Sequence, residues 1–279
     1  MRAKKSLGQH FLKSERALSV IAEAGNLKTR DVVLEIGPGL GALTEKLLAT
    51  SCQVLAVEKD DNLYELLKDK FQKEILSGQL ILVHDDILNF EPKSYNLEAN
   101  SYKLIANIPY NITGAILKKF LGTERQPEKM VLLIQKEVAE RIVGNCGRSA
   151  STKESILSIS VKAYGMPRYV ETVKAGSFAP MPKVDSAIIA IENISKKFFS
   201  SVQSSALDIS EEDFFQMVRA GFKSKRKKLS SNLSVIFEKE KVKEAFEKLE
   251  LDENVRAEDV NITTWHKLAE NFLSELKRG

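Results

Sequence analysis

The sequence predicts an α/β fold with a largely parallel sheet, followed by a small all-helical C-terminal domain. Along the first part of the chain, short apolar runs alternate with amphipathic stretches, which is the pattern of repeated strand–helix units. A glycine-rich turn joins the first of these runs to a helical pattern. Beyond Asn193 the strand pattern ends, and apolar residues recur at helical spacing from Ser210 onward. These observations predict a sheet domain over residues 1–194 and a helical domain over 195–279.

The predicted elements follow one another in the order that such a sheet requires. Strands are predicted near residues 31–36, 53–58, 79–83, 102–106, 129–135, 168–174 and 185–193. Helices are predicted near 15–24, 41–50, 60–72, 112–121, 136–143 and 153–164. The last two strands have no helical pattern between them, and Pro180 and Pro182 interrupt that connection. We therefore expect an antiparallel hairpin at one edge of the sheet. The polar, serine-rich residues 195–208 form the predicted linker.

The composition is that of a globular protein. Of 279 residues, 43% are hydrophobic and 29% are charged, and the formal net charge is only +4. The two cysteines and three histidines have no metal-ligand spacing, so no metal site is expected. The N-terminus is basic but lacks an apolar segment behind it, and no apolar run has transmembrane length. We expect a cytoplasmic protein that is monomeric and has no membrane partner.

The glycine-rich turn predicts a nucleotide-like cofactor. Gly37-Pro38-Gly39-Leu40-Gly41 follows an apolar strand and opens a helix, whose free N–H groups and close backbone approach suit such a ligand. Glu58 ends the next strand, where a carboxylate can accept both hydroxyls of a ribose. The loop does not distinguish nicotinamide from S-adenosylmethionine, and a tight structural turn is the alternative to both.

A second acid follows the third predicted strand. Asp86 is placed to accept the amino group of a bound adenine. A helix cap or a solvated loop acid is the alternative for Asp86, although the neighbouring Asp85 is the favoured cap.

The residues Asn107-Ile108-Pro109-Tyr110 end the fourth predicted strand and suit the recognition of an amino group on a base. Proline cannot donate a backbone hydrogen bond, and it biases Ile108 to an extended conformation, so the Ile108 carbonyl can point outward. That carbonyl and the Asn107 side-chain oxygen can accept the two N–H groups of an exocyclic amine. The Tyr110 ring offers a face on which the base can stack. The pattern indicates methylation of a nucleobase amine.

A series of motifs resembles one enzyme family over about Lys5 to Asn232. In chain order they are Gln9-His10-Phe11-Leu12, the glycine loop, Glu58, Asp86, Asn107-Ile108-Pro109-Tyr110 and Phe178-x-Pro180-x-Pro182-Lys183-Val184-Asp185-Ser186. Together they resemble the bacterial small-subunit rRNA adenine N6-dimethyltransferases, the kasugamycin-sensitivity enzymes. The resemblance implies a Rossmann-like class I S-adenosylmethionine methyltransferase sheet of seven strands. It also implies dimethylation of two adjacent adenosines near the 3′ end of 16S rRNA, in the small ribosomal subunit or its precursor.

The same resemblance implies roles for individual residues. Those implied to contact S-adenosylmethionine are His10, Leu12, Gly37, Glu58, Asp86 and Asn107, with His10 and Leu12 on an N-terminal segment that folds over the cofactor. Those implied to act on the target base are Asn107, Ile108, Pro109, Tyr110 and Phe178. In this group Phe178 holds the base opposite Tyr110, and the alternative for Phe178 is a core aromatic at a hairpin turn.

Positive charge is concentrated in one short stretch of the helical domain. Arg219 and the basic residues of 223–228 lie within ten residues that contain no acid. A run this one-sided favours phosphate contact over a solvated face. Phe222-x-x-x-Arg226-Lys227-x-Leu229-x-x-Asn232-Leu233 also resembles a C-terminal motif of the family. The predicted RNA-binding residues are Lys223, Lys225, Arg226, Lys227 and Lys228.

One departure and three alternatives stay open at this point. Residues 144–155 replace the loop of Pro-Gly-Ser-Lys-x-Tyr-Gly type that the family carries, which leaves the grip on RNA at that loop undefined. The large-subunit rRNA methyltransferases of macrolide resistance share the catalytic motifs. A non-catalytic RNA-binding assembly or transcription factor could keep the fold. A nicotinamide oxidoreductase would leave Asn107-Ile108-Pro109-Tyr110 unexplained.

Overall fold

The structure, a computed structural model, describes residues 9–144, 153–200 and 209–276. Its strands are β1 (Phe11–Leu12), β2 (Val32–Ile36), β3 (Gln53–Glu58), β4 (Leu80–His84), β5 (Tyr102–Asn107), β6 (Lys129–Gln135), β7 (Met166–Val173), β8 (Phe178–Ala179) and β9 (Ser186–Glu192). Its helices are α1 (Glu15–Gly25), α2 (Ala42–Leu48), α3 (Asp61–Lys70), α4 (Gln72–Leu76), α5 (Thr113–Gly122), α6 (Lys136–Val143), α7 (Ile156–Lys162), α8 (Glu211–Gly221), α9 (Leu229–Leu233), α10 (Lys239–Lys248) and α11 (Ile262–Leu276).

Seven strands form one mixed sheet in the order β4-β3-β2-β5-β6-β9-β7. The first five of these strands are mutually parallel, β9 is antiparallel to β6, and β7 is antiparallel to β9. The predicted seven-stranded α/β sheet and its antiparallel edge hairpin are therefore confirmed. After β4 the chain crosses to the other side of β2 to form β5. The carboxyl ends of β2 and β5 consequently flank the topological switch point, where open α/β sheets bind their ligands.

Caps on the helices explain where several of them begin. The Ser14 side chain accepts the N–H of Ala17 at the start of α1, and the Asp60 side chain accepts those of Asn62 and Leu63 at the start of α3. A side chain that accepts these otherwise unpaired N–H groups stabilises the first turn by about 1 kcal/mol.

The described residues form two compact units. The first contains the described residues up to Ala139 together with Met166–Ile194, and the second contains those of Glu140–Gly165 and those from Ser195 onward. The predicted domains, 1–194 and 195–279, differ from these units in residues 140–165, and as a division into domains they stay a prediction. Residues 145–152 of the divergent 144–155 loop and residues 201–208 of the predicted linker lie outside the described residues.

One hydrophobic core of the first unit lies between α1, α2 and one face of the sheet. Leu18 and Ile21 of α1 and Leu47 of α2 are buried against sheet residues that include Val33 and Ile105. Removal of this much aliphatic surface from water stabilises the unit, at about 25 cal/mol for each Å² buried.

The second unit has its own core around the indole of Trp265. Phe214, Met217, Leu229 and Leu233 are fully buried, as is the indole itself.

Within the described ranges, no helix combines the length and the apolar character that crossing a membrane requires.

Candidate active site

One cavity opens at the switch point of the sheet, wholly within the first unit. It has a volume of about 270 Å³ and is lined by the loops that follow β2, β3, β4 and β5, together with the segment around β1. All the residues predicted to contact the cofactor or the target base line it: His10, Leu12, Gly37, Glu58, Asp86, Asn107, Ile108, Pro109, Tyr110 and Phe178. The structure thus brings together residues that are far apart in the sequence, from His10 to Phe178.

The glycine loop forms the floor of this cavity beside the end of β2. Gly37 has φ +62°, a left-handed conformation that favours glycine, and no atom lies within 4 Å of the place where a side chain would begin. That empty space faces the cavity and leaves room for a ligand to reach the backbone. A side chain at Gly41 would instead strike the Phe71 ring at 2.5 Å, so glycine is required there for packing.

The Glu58 carboxylate is held in place by the backbone around it. Its two oxygens accept the N–H groups of Gly39 at 3.2 Å and Asp60 at 2.9 Å, and the residue is only 6% exposed. Burial raises the pKa of Glu58, and the backbone N–H groups oppose that rise. Each carboxylate oxygen has a second lone pair, so the group can accept two ligand hydroxyls in addition.

Asp86 lies at the edge of the same cavity, after β4. Its side chain accepts hydrogen bonds from the ammonium of Lys59 at 2.7 Å and from the N–H of Leu88 at 3.0 Å. The Lys59 hydrogen bond lowers the pKa of Asp86, so the group is an anion at neutral pH. The expectation that Asp85 caps a helix is wrong, because in the described part of the chain the next helical element after β4 starts only at Pro92. The Asp85 side chain accepts the N–H of Asp86, and it is Asp86 that accepts the N–H of Leu88.

Glu35, near the end of β2, is a buried acid in the cavity wall that the sequence reading did not assign. It is 1% exposed, and its Oε2 atom has no hydrogen-bond partner among the described residues. Burial is the main cause that raises the pKa of Glu35 to about 8, and repulsion from the Glu58 carboxylate is a smaller cause in the same direction. At neutral pH this side chain is therefore mainly a protonated acid, which can donate a hydrogen bond.

The end of β5 presents two free acceptors to the cavity. The Asn107 side-chain nitrogen donates to the carbonyl of His10 at 3.4 Å, which leaves the amide oxygen for a ligand. Pro109 has ψ 135°, and its carbonyl accepts the N–H of Ile112. In the described part of the chain, no donor reaches the Ile108 carbonyl. The arrangement of acceptors predicted for an exocyclic amine is thus compatible with the geometry.

The N-terminal segment crosses the cavity and is fixed on both sides. Gln9 donates to Asp60 at 3.1 Å, near the end of β3. On the other side, the Nδ1 atom of His10 lies 2.8 Å from the Pro180 carbonyl, and β1 pairs with β8 so that Leu12 faces Phe178. Since a carbonyl only accepts, His10 carries its proton on Nδ1 in this contact.

The aromatic rings expected to hold a base both lie at this cavity. The Tyr110 ring is half-buried and stacks on the His10 ring, with 5.9 Å between the ring centroids and 22° between their planes. Phe178 is 5% exposed, and it both lines the cavity and packs into the core beside Leu12. The two roles considered for Phe178, contact with the target base and packing in the core, are compatible in this position.

The basic run of the second unit forms the loop between α8 and α9. The side chains of this loop are exposed at Lys223, Lys225, Arg226, Lys227 and Lys228. Buried Asn232 holds the loop by donating to the carbonyls of Gly221 at 2.6 Å and Ser224 at 3.1 Å. The backbone is thus anchored from within and the cationic side chains stay exposed, although the Lys228 ammonium lies 4.0 Å from the Glu253 carboxylate.

Sequence reasoning missed three contacts that shape the cavity. They are the Gln9–Asp60 hydrogen bond, the Phe11 ring beside Gly39, and a 2.8 Å hydrogen bond between Tyr110 and Ser186. Gln9, Phe11 and Ser186 each belong to a motif that was recognised, so membership in the motif was the available signal.

The seven-stranded sheet with antiparallel β9, the glycine loop and the acid ending β3 define a class I S-adenosylmethionine methyltransferase. A family model described as ribosomal RNA adenine dimethylase matches residues 1–273. The chain belongs to the ribosomal RNA adenine dimethylase family. The predicted family, fold and class of enzyme are confirmed by this match, which does not favour the nicotinamide oxidoreductase alternative.

Individual relatives agree with the family match. The chain is 41% identical over 270 residues to ribosomal RNA small subunit methyltransferase A of Dehalococcoides mccartyi (strain CBDB1), with 96% of this chain and 88% of the relative covered. It is similar to the crystal structure of the 23S rRNA methyltransferase ErmE, with TM-score 0.74, 27% identity, and 94% and 99% of the two chains covered. A dimethyladenosine transferase from Plasmodium falciparum gives TM-score 0.74 and 26% identity, covering 93% and 96%.

Proposed function

We propose that the protein transfers methyl groups from S-adenosylmethionine to N6 of two adjacent adenosines near the 3′ end of 16S rRNA. The product is N6,N6-dimethyladenosine in the small ribosomal subunit or its precursor, formed during assembly. The observation that carries the proposal is the pair of free acceptors at the end of β5, the Asn107 side-chain oxygen and the Ile108 carbonyl. They open into the same cavity as the glycine loop and Glu58.

The residues around the cavity suit a nucleoside cofactor. Glu58 has lone pairs left for the ribose hydroxyls, and anionic Asp86 suits the amino group of the adenine. The open space at Gly37 permits close approach to the backbone. His10 and Leu12 lie on the segment that crosses the cavity and would close over the ligand. When bound, S-adenosylmethionine supplies an activated methyl group.

The acceptors at the end of β5 address the main chemical difficulty of the reaction. The N6 lone pair of adenine is delocalised into the ring, which makes this amine a weak nucleophile. Hydrogen bonds from N6–H to Asn107 and Ile108 favour a tetrahedral nitrogen whose lone pair is localised. They accelerate the reaction to the extent that they strengthen in the transition state. Positioning of the amine in line with the methyl group is the second contribution.

The rings at the cavity suit an unstacked base. A base inside a helix cannot reach the end of β5, so the adenosine has to leave its stack. Tyr110 and Phe178 offer the apolar surfaces that replace its former neighbours. After the first transfer one N–H remains, and either acceptor can still hold it for the second transfer.

The exposed basic loop suits the phosphates of the RNA. The five cationic side chains of residues 223–228 are all exposed, and their backbone is anchored by Asn232. We therefore assign RNA capture to the helical domain, 195–279, and chemistry to residues 1–194. A monomeric, cytoplasmic enzyme is sufficient for this arrangement.

The small-subunit target is favoured over the large-subunit one by the names of the relatives. The Dehalococcoides mccartyi protein, 41% identical, is named for the small subunit, whereas ErmE, named for 23S rRNA, is 27% identical. The test is transfer of labelled methyl groups to unmethylated small and large subunits in separate reactions. We expect label in small-subunit RNA alone. Label in large-subunit RNA alone would favour the resistance-type enzyme, and label in neither would favour the non-catalytic alternative.

A further inference from the structure

The hydroxyl group of Tyr110 is anchored to a buried serine that does not line the cavity. The two side-chain oxygens of Tyr110 and Ser186 lie 2.8 Å apart. Ser186 is fully buried, and it is the first residue of β9, where its backbone pairs with Gln135 of β6 and Val173 of β7. Within the described ranges, Tyr110 is the side chain that satisfies the Ser186 hydroxyl.

Tyr110 needs such an anchor because of where it lies in the backbone. It begins a short 3-10 turn, Tyr110–Ile112, beyond the end of β5, so no strand neighbour fixes its side chain. One face of its ring is near His10, and the rest of the ring is half-buried at the cavity. The hydroxyl oxygen of a tyrosine lies on the axis of the second side-chain torsion, so a hydrogen bond at this oxygen fixes the position of the ring mainly through the first torsion. The near-parallel His10 ring lies against the face of the Tyr110 ring. Ser186 therefore ties the far end of the ring to a strand that is paired on both sides.

We propose that Ser186 is a positioning residue for methyl transfer: it holds the Tyr110 ring in the place where the target base stacks on it. This inference rests on the proposed function. Ser186 does not line the cavity, so its effect on the reaction would pass through the tyrosine hydroxyl. It ends the same motif that contains Phe178, so that one motif supplies both the second ring and the anchor of the first.

The pair can be tested by removing the hydrogen bond from either end. Ser186→Ala removes the anchor, Tyr110→Phe keeps the ring but removes its hydroxyl, and the double variant removes both. Loss of one neutral hydrogen bond should slow single-turnover methylation by about 3- to 10-fold in each single variant. Because both single changes break the same bond, the double variant should be no slower than the slower single variant. S-adenosylmethionine affinity should stay unchanged in all three.

Tyr102→Phe provides a matched control at the opposite end of β5. The Tyr102 hydroxyl donates to the Arg125 carbonyl, also at 2.8 Å, and the residue is buried away from the cavity. Its loss should lower the melting temperature and leave the single-turnover rate as in wild type. If Tyr102→Phe also lowered the single-turnover rate along with the melting temperature, the effect of Ser186→Ala would be merely structural. That result would overturn the proposal.

A fluorescent base reports directly on the ring. 2-Aminopurine in place of a target adenosine is quenched when it stacks on an aromatic ring, so its complex should be brighter with Ser186→Ala and Tyr110→Phe than with wild type. Wild-type emission from both variants, or additive losses of rate, would overturn the proposal. Should Ser186→Ala fail to fold, Tyr110→Phe alone still decides, by its rate and emission. If wild type methylates no small-subunit RNA, the proposed function itself fails, which is a separate result.

Discussion

Replacement of Asn107 tests the acceptor geometry at the end of β5. In Asn107→Ala the target amine loses one of its two acceptors and keeps the Ile108 carbonyl. Loss of one hydrogen bond that strengthens in the transition state costs about 3–4 kcal/mol, or about 100- to 1000-fold in rate. The bond from Asn107 to the His10 carbonyl is long, at 3.4 Å, so its loss should weaken cofactor binding by less than about 10-fold.

The assay is single-turnover methylation with RNA and cofactor both saturating, so that a change in affinity does not enter the rate. Asn107→Asp is the matched variant, because it keeps an acceptor oxygen but faces the His10 carbonyl with a second oxygen instead of a donor. We expect this variant to bind S-adenosylmethionine more weakly than Asn107→Ala and to transfer methyl groups faster once saturated. A rate for Asn107→Ala within a few-fold of wild type would refute the role of the acceptor.

Three further predictions concern cofactor, RNA and pH. Glu58→Gln should weaken S-adenosylmethionine binding by about 1.5–3 kcal/mol, because one of the two oxygens becomes an NH2 donor that faces a backbone N–H and can no longer accept a ribose hydroxyl. Unchanged affinity in calorimetry would remove Glu58 from the site. Alanine at Lys225, Arg226 and Lys227 should reduce the slope of log RNA affinity against log salt by about 2 to 3. Alanine at Lys239, Lys241 and Lys243, exposed on α10, removes equal charge and should change the slope little; equal effects would contradict a specific role for the loop. The pKa of Glu35 is about 8 in the folded protein, against an ordinary value of 4.5. The folded state therefore holds this proton more tightly than the unfolded state, and the stability that this contributes is present at low pH and is lost as the pH rises toward 8. Glutamine at position 35 stays neutral at every pH, so Glu35→Gln should become more stable relative to wild type as the pH rises. The difference between their free energies of unfolding should grow by at most about 1.4 kcal/mol per pH unit between about pH 5 and 8. A difference that does not change with pH would contradict the buried protonated acid.

Much of the sheet could be predicted because its strands are short apolar runs between strong turn signals. The strand predicted near 53–58 and the helix near 136–143 have the observed bounds. Most other predicted bounds differ from the observed ones by a few residues, and two of these differences have a clear physical reason. β7 begins at Met166 and includes Pro167, which has no backbone N–H. An edge strand tolerates a proline because one of its sides forms no hydrogen bonds with a neighbouring strand. α7 begins only at Ile156, because Ser155 caps it reciprocally with Ser158.

The cavity was predictable through its motifs, whereas its internal contacts were not. β1 is two residues long, and a strand of that length has no periodicity to detect. The Tyr110–Ser186 bond joins residues 76 positions apart, and the Gln9–Asp60 bond joins residues 51 apart. Such pairs depend on tertiary packing and leave no local pattern. The exposure of the basic loop followed from its charge, since an unpaired lysine or arginine is rarely buried.

The central claim is tested most directly by locating the methyl groups in treated RNA. Small subunits lacking the modification are incubated with the protein and S-adenosylmethionine, and their 16S rRNA is digested and mapped by mass spectrometry, with Asn107→Ala in parallel. The account predicts two adjacent adenosines near the 3′ end, each carrying two methyl groups on N6, and little or no product from Asn107→Ala. Methyl groups on another base, on another atom or only in large-subunit RNA would contradict it.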